Sequence, residues 1–142
     1  MICDWGVKVI DIDRFQEILD EVFQQQPECC LDELNGGVCL LPECKMSPHA
    51  VDNDLYVLGE FCRSHTMGRY INIYYGSFKA IYGYMNEAQI TEKINEVLQH
   101  EIYHHLESLS GTHELEDEDA RFMENYFERK RQRQNIIKKD KN

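Results

Sequence analysis

The stretch that decides the fold is Asn86–Gly111, NEAQITEKINEVLQHEIYHHLESLSG. Ile90, Ile94, Val97, Leu98, Ile102, Leu106 and Leu109 recur at three- and four-residue intervals, the period of a helix with one apolar face. Asn86 and Gln89 have capping-box spacing, and Met85 with Ile90 has that of a hydrophobic staple. Gly111 offers the left-handed position at which helices end. The expected helix ends at Ser110 and covers 24 residues, about 36 Å at 1.5 Å per residue.

Upstream, Phe15, Ile18, Leu19, Val22 and Phe23 form another apolar helical face, with Asp11 or Asp13 as N-cap and Pro27 beyond the end. Turn chemistry at Asn35-Gly36-Gly37 leads into Val38–Leu41, a short apolar run stopped by Pro42. Residues 55–62 and 69–75 are rich in aromatic and β-branched residues and read as two further strands, antiparallel neighbours. Residues 77–84 fit a helical turn or a fourth strand equally well. Downstream, a last helix is expected from about 117–119, burying Phe122, Met123, Tyr126 and Phe127 and dissolving at Arg129-Lys130-Arg131. Helix, strands, long helix, helix is an α+β order. Residues 1–128 are read as one domain and 129–142 as a basic, disordered tail without assigned function.

Inside the long helix stands His100-Glu101-Ile102-Tyr103-His104, an H-E-x-x-H pattern. Side chains four apart on a helix project on one side, so both imidazoles can reach one Zn²⁺. Glu101, one step round, is placed to take a proton from a metal-activated water as general base. At 100° per residue, the two histidines flank the apolar arc and Glu101 falls just inside its edge, where a carboxylate is costly unless it has a partner or a task. His105 projects into the arc and reads as a core histidine with a hydrogen-bonded ring. A catalytic zinc takes three protein ligands and keeps one position open. For the third ligand, Glu107, His113, Glu114, Glu116, Asp117, Glu118, Asp119 and Glu124 all lie downstream, and spacing leaves them open. Glu107 reads as a solvated charge, and Glu124 follows His104 by 20 residues, as the glutamate ligand does in thermolysin-like zincins.

Leu34–Val38, Leu55–Glu60, Gly68–Ile71, Ile73–Phe78 and His100-Glu101 through His104–Leu109 together resemble the small bacterial zincin-like metallopeptidases, the minimal zincins, over about residues 11–127. The resemblance implies a small, mostly antiparallel sheet packed on the motif helix with flanking helices, and a zinc-dependent peptidase. The short-connection pattern of that family is His-Glu-x-x-His-x-x-Gly-x-x-Asp. Here Glu107 replaces the glycine, Ser110 replaces the aspartate, and the connection is longer. Carried over by position in the fold, the resemblance puts the third ligand on Asp119, beside His100 and His104.

Charge narrows the partners. Lys and Arg number 15 against 26 Asp and Glu, a net charge of −11 that repels phosphate backbones and anionic membranes. Residues 1–120 carry 7 positive and 23 negative side chains, net −16, while 121–142 carry 8 and 3, net +5. Neither nucleic acid nor a membrane is expected; a peptide or protein substrate is. No secretory leader is read at Met1–Gly6, so the expected address is the cytoplasm, with all six cysteines as free thiols. A structural metal site from Cys29, Cys30, Cys39 and Cys44 lacks paired C-x-x-C knuckles. The sequence thus reads as a zinc metallopeptidase that holds an extended peptide on a sheet edge, with the edge strand open. The alternative is a non-catalytic fold that binds a peptide or protein.

Overall fold

The structure is a computed structural model that describes residues 10–52, 55–111 and 114–140, with the backbone alone for 114–118 and 134–140. The chain falls into two compact units, Met1–Leu106 and Glu107–Asn142.

In the first unit, α1 spans Ile12–Gln24, and the Asp11 carboxylate caps it by accepting from the Arg14 N–H at 2.8 Å. Its buried face is Phe15, Ile18, Leu19 and Val22, the expected stripe. A 3₁₀ turn, Glu28–Cys30, follows. Strands β1 (Gly37–Leu41), β4 (Gly59–Ser64) and β5 (Gly68–Tyr74) form a three-stranded sheet in the order β1-β5-β4. Strands β4 and β5 are antiparallel, as their sequences led one to expect, but β1 runs parallel to β5. The three-stranded sheet is therefore mixed, with one parallel and one antiparallel pairing. The reason is topological: β1 and β5 are joined by a long connection, which lets a strand return in parallel, whereas a short hairpin cannot.

The run expected as one strand over 55–62 is two. Tyr56–Val57 (β3) pairs with Lys45–Met46 (β2) in a separate antiparallel ladder, and the chain changes partner at Leu58 before β4 begins. Residues 77–84, open in the sequence, begin as helix: α2 spans Tyr75–Tyr82. Ser77, fully buried on α2, accepts from the Lys45 N–H at 2.9 Å, so its hydroxyl is satisfied by β2.

Helix α3 spans Glu87–Ser110, 24 residues. The capping box is reciprocal: the Gln89 N–H donates to Asn86 Oδ1 at 2.9 Å and the Asn86 N–H to Gln89 Oε1 at 3.1 Å. Gly111 ends the helix at φ +77°, its N–H donating to the Glu107 carbonyl at 2.9 Å. The core of the first unit joins α1, Ile71 and Ile73 of β5, Phe78 of α2, and Ile90, Ile94, Leu98 and Ile102 of α3. Each such side chain contributes about 1.5–3 kcal/mol by leaving water.

The second unit holds the last turn of α3 and α4, Glu114–Asp140. Helix α4 begins earlier than the expected 117–119 and does not dissolve at residue 129. Arg, Lys and Gln are good helix formers, and Arg131 pairs with Glu128 at 2.6 Å one turn back, so the basic run continues the helix instead of ending it. The tail expected to be disordered is thus helical to Asp140. Tyr126 is buried and Met123 and Phe127 are half-buried, but Phe122 is exposed, against expectation.

Candidate metal centre

Helix α3 aims the motif by its register. With Leu98 and Ile102 locked in the core, His100 is turned outward to solvent and His104 is half-buried. The two rings meet edge to face, with centroids 4.9 Å apart, and one ligand nitrogen of each lies within 4.8 Å of the other. Two nitrogens that bind one ion at about 2.0–2.1 Å each stand at most about 4.2 Å apart, so the pair lies near ligating distance and closes on an ion by turning its rings.

Glu101 is buried, with 6% of its surface exposed. Helical projection puts it at the edge of the apolar arc; the sheet explains how it is accommodated. Gly59, the first residue of β4, lies so close to α3 that a Cβ there would meet Val97 Cγ1 at 2.8 Å, Ile73 Cδ1 at 3.1 Å and Glu101 Cγ at 3.3 Å. The missing side chain at 59 is the space that Glu101 and Val97 use. From sequence alone Gly59 is a strand residue without this role; a glycine inside an aromatic and β-branched run is the signal that marks close approach.

His105 is fully buried, and its Nε2 lies 2.8 Å from the Asp32 carbonyl oxygen. A carbonyl only accepts, so Nε2 carries the proton and donates, which fixes the tautomer. The ring also packs at 5.7 Å from that of Phe61 on β4. His105 thus anchors α3 to the loop after the 3₁₀ turn, the core role its projection predicted. His49 and His65, to which the sequence assigned no role, lie outside the motif helix.

The candidate third ligands are divided. Glu107 is buried at 4%, not the solvated charge expected of it, because a helical projection counts only its own helix. His113 lies outside the described residues, as do the side chains of Glu114, Glu116, Asp117 and Glu118. Asp119 and Glu124 are exposed on α4. Because α4 starts at Glu114, Asp119 stands in its second turn instead of at its first residue. His100, Glu101 and His104 belong to the first unit, Asp119 and Glu124 to the second.

The cysteines do not assemble a tetrathiolate. Cys29 and Cys30 adjoin in the 3₁₀ turn, Cys39 is on β1 and Cys44 lies beyond its end. Among the described residues no cysteine joins a group of three metal-ligating side chains. Cys29, Cys30, Cys39, Cys44 and Cys62 are free thiols, and Cys3 lies outside the described residues.

On the sheet face opposite Gly59, a polar cluster is built on Glu60. Lys45 Nζ donates to both its carboxylate oxygens at 3.0 and 2.9 Å, and the Tyr74 hydroxyl donates to Oε1 at 3.0 Å. Burial pushes the Glu60 carboxyl up, but the hydrogen bonds from Lys45 and Tyr74 outweigh it and leave it below the usual range. Lys45 is held above its ordinary value, chiefly by its hydrogen bond to Glu60. Among the described residues, no helix is long and apolar enough to cross a membrane.

No family model matches the chain, and no curated protein matches it. Among solved structures, it is similar to a conserved hypothetical protein from Thermo thermophilus, at 31% identity and a TM-score of 0.61, over 71% of this chain and 98% of that one.

Proposed function

The chain belongs to the family of that Thermo thermophilus protein, and from the residues it carries we propose that it is a zinc-dependent peptidase of the minimal zincin type. The observation that carries the proposal is the pair of ligand nitrogens on His100 and His104, within 4.8 Å of one another and accompanied on the same helix by a buried Glu101. The donor set fits zinc, since two imidazoles and a carboxylate are a known catalytic ligand combination. Asp119 is the third ligand in this reading, on the strength of the resemblance and its place near the start of α4. Zinc, when bound, supplies a Lewis acid that polarises a peptide carbonyl and acidifies water.

Glu101 then acts as general base, taking the proton of the attacking water and passing it to the departing amine. Its fixed place against Gly59 keeps the carboxylate from wandering, which matters because proton transfer demands hydrogen-bond reach. Strand β4 is an edge of the three-stranded sheet and starts at Gly59, so an extended peptide added along it would lie beside the motif helix. The substrate is a peptide or protein, not nucleic acid, in keeping with a net charge of −11. The proposed compartment is the cytoplasm, supported by the five free thiols.

The test measures zinc and turnover in the same preparations. Wild type should hold about one zinc per chain and cleave members of a broad peptide library. Glu101→Gln should keep zinc and lose about 10²–10⁴ in rate. His100→Ala with His104→Ala should lose zinc, and Asp119→Ala should weaken both zinc and activity. Zinc retained by the double histidine variant refutes the centre. A zinc-loaded wild type that cleaves nothing refutes the peptidase and leaves a peptide-binding fold. Loss of both properties in Glu124→Ala with Asp119→Ala intact moves the third ligand to Glu124.

A further inference from the structure

Cys29 and Cys30 are adjacent in sequence and set on ordered backbone. The 3₁₀ turn that carries them is closed by the Cys30 N–H donating to the Pro27 carbonyl and the Leu31 N–H to the Glu28 carbonyl, both at 3.0 Å. Two residues on, the Asp32 carbonyl accepts from buried His105, which pins the segment to α3. Cys29 is exposed, while Cys30 is half-buried and packs on the core. Joined by a single peptide bond on one turn, the two thiols act on each other. Burial first, and the neighbouring Cys29 thiol second, raise Cys30 above the ordinary thiol value. Cys30 is therefore a poor nucleophile on its own at neutral pH.

A direct bond between the two sulfurs is geometrically poor. Consecutive Cα atoms are about 3.8 Å apart across a trans peptide, whereas disulfides span about 4.4–6.8 Å. One atom inserted between the sulfurs removes that conflict. We propose that Cys29 and Cys30 form a vicinal dithiol site that chelates trivalent arsenic, a thiophilic centre satisfied by two thiolates and one further substituent. Zinc is the poorer guest, since structural zinc takes four ligands and no third metal-ligating side chain joins the pair among the described residues. With an organoarsenic oxide, exposed Cys29 attacks first and Cys30 closes the ring. Two S–H bonds and the arsenic–oxygen bond break, and two As–S bonds form. The oxygen leaves as water with both thiol protons, arsenic stays trivalent, and no oxidant is needed.

The test treats the full, reduced chain with phenylarsine oxide. One equivalent should bind, resist excess monothiol and be removed by a small dithiol. Cleavage after glutamate frees residues 29–33 as one peptide, between Glu28 and Glu33, so the adduct can be located by mass. Cys29→Ser changes an exposed residue and leaves the core contact of Cys30 in place, so the protein should fold and lose affinity by at least about 100-fold, the chelate advantage of a tethered second thiol. An adduct on another peptide, unchanged affinity in Cys29→Ser, or removal from wild type by monothiol overturns the proposal.

Discussion

Gly59→Ala adds one methyl at the contact between the sheet and the motif helix. That carbon would stand 2.8 Å from Val97 Cγ1, 3.1 Å from Ile73 Cδ1 and 3.3 Å from Glu101 Cγ, where carbon contacts settle at about 3.5–4.0 Å. Little can yield. Val97 is β-branched and held to one rotamer in a helix, and Ile73 is fully buried in the sheet. Relief requires α3 to move off β4 by several tenths of an ångström, and overpacking of this kind costs about 1–3 kcal/mol. Alanine restricts the unfolded chain and returns about 0.4–1 kcal/mol, so the net loss should centre on about 1.3 kcal/mol. Urea unfolding should show a lower midpoint at unchanged slope. Val97→Ala removes the nearest methyl, so the double variant should be more stable than the summed single effects by about 1 kcal/mol. Wild-type stability in Gly59→Ala, or strict additivity in the double variant, would refute the account of how Glu101 is seated.

Three further outcomes are expected. His105→Leu leaves the Asp32 carbonyl without its donor and should cost about 1–3 kcal/mol, part of which His105→Gln should recover through its amide N–H; equal losses in urea unfolding would contradict the anchoring role. The Glu60 carboxyl is lowered in the folded state, so its stabilising effect is complete above its unfolded pKa and is lost as pH falls through the lower folded value. The stability gap between wild type and Glu60→Gln should accordingly shrink on acidification, while Lys45 stays charged throughout that window; a gap independent of pH would remove the pairing from the stability balance. Asn86→Ala breaks the capping box of α3 and should cost about 0.5–2 kcal/mol, read as a lower midpoint in thermal unfolding.

What the sequence determined by itself was local. The stripe of α1, both ends of α3 and the i, i+4 placement of His100 and His104 follow from helical period, capping residues and a glycine at the end. These signals lie within a few residues of what they specify, so no distant partner is needed to read them. Even the burial of His105 and Glu101 was visible as an angle around one helix. The tertiary structure decided everything that depends on a partner far along the chain. Residues 55–62 read as one strand, yet Tyr56–Val57 and Gly59–Ser64 separate because one half finds β2 and the other β5. The parallel pairing of β1 with β5 has no local signature, since its hydrogen bonds join segments about 30 residues apart. Gly59 acquired its meaning only when β4 came to rest on α3, and Glu107 only when its side of the helix was found to be covered. Periodicity records which face of an element avoids water; the choice of what covers that face belongs to packing, where close approach and volume decide.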